Sequence, residues 1–270
     1  IYIGGGTPTS LSEEQFERLM AMTEKYLPME QSKEFTVEAG RPDSITEGKL
    51  RSMKIHGVTR ISINPQSMKE HTLELLGRKH TVEEIREKFM LARTLGFDNI
   101  NMDLIAGLPE ETLEDFKETL REVEALKPDS ITVHTLVIKR ASRLRKEQLE
   151  QGGEMREEDA CIEPMQKEAE QFCRVHGYEP YYMYRQKNKA HTTRNTNQEN
   201  VAYAKPGKEC LYNIFIMEEL QSILALGSGG SSKIVFPEEN RMERVENVKS
   251  VDDYIGRIDE MIRRKKESWR

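Results

Sequence analysis

Ile1-Tyr2-Ile3-Gly4-Gly5-Gly6-Thr7-Pro8-Thr9-Ser10 is the stretch from which the rest of the chain is read. Three apolar residues read as the end of a buried strand. The glycines permit positive φ and bring backbone N–H groups close to a ligand. Ser12, with Gln15 three residues on, forms a capping box that opens a helix. The unit is strand, glycine loop, helix. Such loops often hold phosphate, but this one lacks the Walker Lys-Ser/Thr and is not G-x-G-x-x-G. Three glycines alone read equally well as a tight strand-to-helix turn.

The same rhythm continues. Phe16, Leu19, Met20, Tyr26 and Leu27 fall near a 3.6 period, giving a helix over 12–27. A strand is expected at 35–40, a helix at 44–55, a strand at 58–63 and a short helix at 69–77. Thr81 and Glu84 make a second capping box, opening a helix that Gly96 stops. A strand at 99–105, a helix at 112–126 and a strand at 129–137 follow. Short apolar strands alternating with helices imply an α/β fold with a parallel sheet. Periodicity leaves a barrel and a doubly wound sheet both open.

Past residue 138 the regularity breaks. A helix is expected over 155–176 and a strand at 178–184. Residues 185–208 are polar. Residues 211–218 and 222–226 read as paired strands, Gly227 to Ser232 as a second glycine loop leading into Lys233–Phe236, and 251–267 as a closing helix.

Composition narrows the function. At 270 residues the chain is one large domain, or a domain with an appendage. A net charge of −6 argues against a general nucleic-acid binder. No apolar run reaches the roughly 18 residues of a membrane span, so no membrane partner is expected. No signal peptide is visible. Cys161, Cys173 and Cys210 match no zinc or cluster spacing and read as reduced thiols of a cytoplasmic protein. The chain opens on Ile1 inside a strand, which suggests the C-terminal part of a longer protein.

In parallel barrels and open α/β sheets, ligands sit at the C-terminal ends of the strands. There this sequence puts Gly5, Gly6 and Thr7, then Glu38, Gln66 and Asp103, with Arg78 just past Gly77. If they converge, they suit a ligand with an amine, a carboxylate and a ribose. Singly, each reads as readily as an ordinary exposed polar residue.

The string Gly4-Gly5-Gly6-Thr7-Pro8-Thr9 resembles the second strand and loop of radical S-adenosylmethionine (radical SAM) enzymes of the oxygen-independent coproporphyrinogen III oxidase family. Val37-Glu38 resembles the family's third-strand glutamate. Ser62 to Gln66 resembles its S-x-G-x-Q strand, with Ile63, Asn64 and Pro65 departing from the usual small residues. Leu76-Gly77-Arg78 resembles its R-x-H/Q segment, and Asn101 to Pro109 resembles N-x-D-L-I-x-G-L-P. Beyond residue 140, Tyr178–Tyr184, Tyr203–Cys210 and Ala225–Gly229 are similar to the coproporphyrinogen dehydrogenase subgroup.

The resemblance implies a partial (β/α)6 barrel lacking its first strand, with barrel strands two to six in 1–140 and a substrate-side α+β region in 141–270. It implies SAM contacts by Gly5, Gly6, Thr7, Glu38, Gln66, Arg78, Asp103, Ile105 and Val137. It implies oxidative decarboxylation of propionates to vinyls in haem biosynthesis. It also implies a [4Fe-4S] cluster on a C-x3-C-x2-C motif, and an electron donor such as flavodoxin or ferredoxin. No such motif stands in this sequence, so the cluster ligands are expected upstream and the chain alone is expected to be inactive. Haem chaperones of the same family share these motifs, so haem transfer without turnover is the alternative.

Between 185 and 208, Arg185, Lys187, Lys189, Arg194, Lys205 and Lys208 face the single acid Glu199, a local charge of +5. Such a loop suits a tetracarboxylate at the barrel mouth, or is simply solvated. His134 reads as a satisfied polar residue inside the barrel, or as an acid/base or haem ligand.

Overall fold

The computed structural model of the chain describes residues 1–135, 159–185 and 199–269. Five strands run parallel in strict chain order: β1 (Tyr2–Ile3), β2 (Thr36–Gly40), β3 (Arg60–Ile63), β4 (Ile100–Ala106) and β5 (Ser130–Thr135). A doubly wound sheet reverses its order at a switch point. This one does not reverse, and the sheet is the curled half of a barrel.

The crossovers carry α1 (Glu13–Tyr26), α2 (Glu47–Ile55), α3 (Glu70–Leu75), α4 (Val82–Thr94) and α5 (Leu113–Leu126). Capping boxes at Ser12/Gln15, Thr81/Glu84 and Thr112/Asp115 start three of them. Each satisfies orphan N–H groups of the first turn. Phe16 and Met20 of α1, Ile85 and Phe89 of α4, and Phe116, Leu120 and Val123 of α5 lie fully buried in one core with Val37, Ile61, Met102, Leu104 and Ile131 of the strands. Burying each such side chain stabilises by about 1.5–3 kcal/mol.

After α6 (Asp159–Val175) the hairpin β6 (Glu179–Arg185) and β7 (Glu199–Ala204) extends the sheet. β7 runs antiparallel to β5 and to β6, giving the order β1-β2-β3-β4-β5-β7-β6. The polar stretch 185–208 thus contains a strand that its sequence pattern does not signal. Val201 and Tyr203 alternate with alanines, a period-2 pattern too short and too small-sided to stand out.

Contacts divide the chain into Ile1–Glu209 and Cys210–Arg270. The second unit corrects two expectations. Leu211–Met217 is a helix, α7, not a strand. Periodicity alone does not separate a short continuous apolar run into helix or strand. Residues 222–226 make one isolated bridge, Ile223 to Lys233. The pair is instead β8 (Ser231–Phe236) with β9 (Arg241–Glu246), turned by Pro237–Glu239 and a left-handed Asn240. The closing helix breaks at Arg257 into α8 (Val251–Gly256) and α9 (Ile258–Ser268). The second glycine loop is tied down internally: the Asn247 side chain donates to the Gly227 carbonyl at 2.7 Å, and its N–H to the Gly230 carbonyl at 2.8 Å.

Candidate functional site

Register and pleat divide the strand residues between two faces. Tyr2 pairs with Thr36, Thr36 with Arg60, Ser62 with Asn101, Asn101 with Ser130, Asp103 with Thr132 and Ile105 with His134. Alternate residues share a face. Tyr2, Glu38, Arg60, Ser62, Asn101, Asp103, Ser130, Thr132 and His134 therefore all line the concave side. The convex side holds the apolar core.

The polar column is knit from the bottom up. Arg60 Nη2 donates to Ser130 Oγ at 3.2 Å. The hydroxyls of Ser130 and Thr132 donate to Asn101 Oδ1 at 2.9 and 3.2 Å. Asn101 Nδ2 donates to Asp103 Oδ1 at 2.7 Å and to Ser62 Oγ at 3.2 Å. Asn101 thus uses both lone pairs and both N–H groups. Its orientation is fixed, and it holds Asp103 at the strand end.

At the rim three ionisable groups meet. The Glu38 carboxylate accepts from the Tyr2 hydroxyl and the Gly5 N–H. Burial pushes its carboxyl up, the charge of Asp103 adds to this, and the hydrogen bonds from Tyr2 and Gly5 only partly oppose it. His134 Nε2 lies 3.7 Å from Asp103 Oδ2. Burial alone would raise the Asp103 carboxyl, but His134, Asn101 and Thr132 outweigh it and hold it below the usual carboxylate value. Burial would likewise lower the His134 imidazole, but Asp103 and the charge of Glu38 overcome it and raise it.

The glycine loop is shaped for this rim. A Cβ on Gly4 would stand 2.5 Å from the Tyr2 ring and 3.0 Å from the Glu38 carboxyl, so only glycine lets those two meet. Gly5 and Gly6 take φ of +78° and +43°, with no atom within 4 Å of where a Cβ would be. Beneath them, Thr9 donates to the Ala39 carbonyl, and Lys49 Nζ donates to the carbonyls of Thr9 at 2.7 Å and Ser44 at 3.0 Å. This buried amine ties the loop to the turn after β2.

Gln66 sits beyond β3 at φ +71°, a left-handed geometry costly for a residue with a Cβ. Its N–H donates to the Asp103 carbonyl at 3.0 Å and its carbonyl accepts from Ile105 N–H at 2.9 Å. The strained residue is stitched to β4 beside Asp103. Arg78 is half-buried, and among the described residues its guanidinium makes no hydrogen bond or ion pair. Burial, with Arg41 nearby, weakens its hold on its proton, and Asp43 opposes this. Arg41 and Asp43 form a bidentate pair at 3.0 and 2.8 Å just after β2.

The structure therefore brings Gly5, Glu38, Gln66, Asp103 and Ile105 to one rim, with Arg78 beside the turn that follows β2. It does not bring Lys205 and Lys208 there. Lys205 N–H donates to the Asp129 carbonyl and Lys205 Nζ to the His176 carbonyl, while Lys208 pairs with Asp98 at 3.2 Å. Both lie at the opposite end of the sheet, where β4 and β5 begin. Val137, Lys187, Lys189 and Arg194 lie outside the described residues, as does the side chain of Arg185. Tyr2, Arg60 and Asn101 belong to the site and escaped the sequence reading. Asn101 was findable, standing two residues from Asp103 on one strand.

The residues fit SAM in their donor set: the rim carboxylates for an ammonium or ribose, and the Arg78 guanidinium beside the turn after β2, which makes no ion pair among the described residues, for a carboxylate. The described residues do not fit an iron–sulfur cluster. No three His, Cys, Asp or Glu among them come together as a metal site. Cys173 and Cys210 are buried, and burial pushes the Cys173 thiol up to about 12.

Comparison with known proteins agrees with the half-barrel fold. The model of the Radical SAM superfamily matches residues 1–123. The oxygen-independent coproporphyrinogen-III oxidase-like protein HemZ of Bacillus subtilis is 45% identical over 260 residues, 96% of this chain and 50% of that protein. The haem chaperone HemW of Haemophilus influenzae is 29% identical over 239 residues, 88% of this chain and 56% of that protein. The chain thus spans about half the length of these relatives. The solved structure of Escherichia coli coproporphyrinogen III oxidase (HemN), described as a radical SAM enzyme, superposes with a TM-score of 0.69 at 22% identity, over 96% of this chain and 56% of that one, and so shares its fold. The chain is a member of the radical SAM superfamily, in the family of oxygen-independent coproporphyrinogen III oxidase-like proteins.

Proposed function

We propose that this chain carries the SAM-binding half-barrel and part of the substrate side of a radical SAM oxidoreductase that converts coproporphyrinogen III propionates to vinyls in haem biosynthesis. The observation that carries the reading is an acidic rim at the strand ends, Glu38 and Asp103, together with Arg78, a half-buried cation beside the turn after β2 that makes no ion pair among the described residues. SAM, when bound, supplies the radical chemistry of the family. The chain's own residues bind and orient it. Arg78 takes its carboxylate. Glu38 and Asp103 accept from its amine and ribose hydroxyls. Gly5, Gly6 and Thr7 line its methionine end, and Gln66 and Ile105 its adenosine side, where Val137 is also expected.

The test uses the full-length protein carrying its cluster under anaerobic conditions. A hydrogen bond to a charged group is worth about 1.5–3 kcal/mol, so Arg78→Ala should weaken SAM binding roughly ten- to a hundredfold in equilibrium dialysis. Unchanged affinity sinks the assignment. A second reading, haem transfer without turnover, is favoured by the match to a haem chaperone. Product analysis separates the two: vinyl formation from coproporphyrinogen III supports the enzyme, and tight haem binding without vinyl product supports the chaperone.

A further inference from the structure

His134 shares the concave face with Asp103 and Thr132, and its side chain is 36% exposed against 19% for Asp103. The imidazole therefore reaches both the buried carboxylate and the open rim. Among the described residues, the other titratable or charged groups that the register puts on this face are Tyr2 on β1, Glu38 on β2, Arg60 on β3, and Glu179, Tyr182 and Tyr184 on the outer strand β6. β7 presents Asn200, Ala202 and Ala204 to it, and adds no charge. Among the described residues, two carboxylates thus face one imidazole at the rim, with a guanidinium below.

We propose that a cationic ligand settling on Glu38 and Asp103 drives a proton from His134 into solvent, so that SAM binding is proton-linked. The inference rests on the SAM reading of this site. SAM brings an ammonium and a sulfonium to carboxylates that already hold an imidazolium. Like charges a few ångströms apart in a half-buried site repel strongly. Arg60 cannot lose its proton. Imidazole titrates near neutrality, so it is the group that discharges. The N–H leaves as a proton taken up by buffer, and His134 remains as a neutral ring beside Asp103. The ligand's positive groups then replace the imidazolium as counter-ions, and affinity rises with pH until His134 is already neutral.

The experiment is isothermal titration of SAM into the full-length, cluster-loaded protein without reductant, near pH 6.5, in two buffers of different ionisation enthalpy. The wild type should show a buffer-dependent heat approaching about one proton released per SAM. His134→Asn and His134→Gln should lose most of it, and their affinity should become nearly flat with pH. Equal heats in the two buffers overturn the inference, and so does release that survives both substitutions, which would place the proton on Glu38. If neither variant folds, wild-type heats that are equal in the two buffers still overturn the inference. If equilibrium dialysis shows no SAM binding to the wild type, the SAM reading itself fails.

Discussion

The two faces of the same five strands obey different rules. On the convex face Val37, Ile61, Met102, Leu104 and Ile131 meet helices that are apolar toward them. On the concave face Arg60, Ser62, Asn101, Ser130 and Thr132 are almost as deeply buried, yet all are polar. The interior of a closed barrel is normally filled with branched apolar side chains. Here it is a hydrogen-bonded column ending in Glu38, Asp103 and His134. The convex face holds the fold together, and the concave face aims groups at a ligand. The largest expected effect lies on the convex face. Phe116→Ala should cost about 3–5 kcal/mol in denaturant unfolding, while SAM affinity, measured on the folded fraction, stays within a few-fold. A matching loss of affinity would mean that the faces are not separable.

On the concave face the cost should fall on both stability and binding. Asn101→Leu keeps the volume but removes the acceptor of the Ser130 hydroxyl and one donor to Asp103, at about 1–3 kcal/mol per group left unpaired. Unfolding should therefore show a loss of a few kcal/mol, with SAM affinity falling tenfold or more as Asp103 loses its anchor. Gly4→Ala probes the rim alone. Its methyl meets the Tyr2 ring at 2.5 Å, so overpacking should cost about 1–3 kcal/mol. Its main effect should be weaker SAM binding, as Tyr2 and Glu38 are pushed apart. Full retention of affinity by either variant would break the division of labour between the faces.

This division was partly legible in the sequence. Period-2 alternation in Asn101-Met102-Asp103-Leu104 shows which residues face apart, and the capping boxes at Ser12 and Thr81 mark helix starts by chemistry local to four residues. Parallel pairing was also reachable, because each strand is followed by its own helix, but strand order was not, since a barrel and a doubly wound sheet share that alternation. The gaps come from longer-range physics. β7 is a strand because β5 offers it an edge, and Val201 and Tyr203 do not announce that alone. Leu211–Met217 is apolar throughout, which suits either state. Lys205 and Lys208 share a basic stretch with Arg185, but the antiparallel course of β7 carries them to the far end of the sheet. Tyr2 reads as one apolar residue among three until its hydroxyl meets Glu38, 36 positions away.

The smallest effect should come from the Asp103–His134 pair acting on stability alone, since water screens a side chain that is over a third exposed. His134 is raised above its ordinary value of 6.5 in the folded state. Its contribution is therefore fully present below about pH 6.5 and is lost as pH rises through the higher folded value. Asp103 is lowered below 3.8, so its share is present above that value and is lost as pH falls through the folded one. The pair stabilises between the two limits. The difference in melting temperature between wild type and His134→Asn should be largest from about pH 4 to 6.5 and should shrink on the alkaline side. Glu38, raised in both proteins, largely cancels from the difference. A difference that grows with pH would mean that His134 is held as the neutral ring, and that the concave face needs it for shape rather than charge.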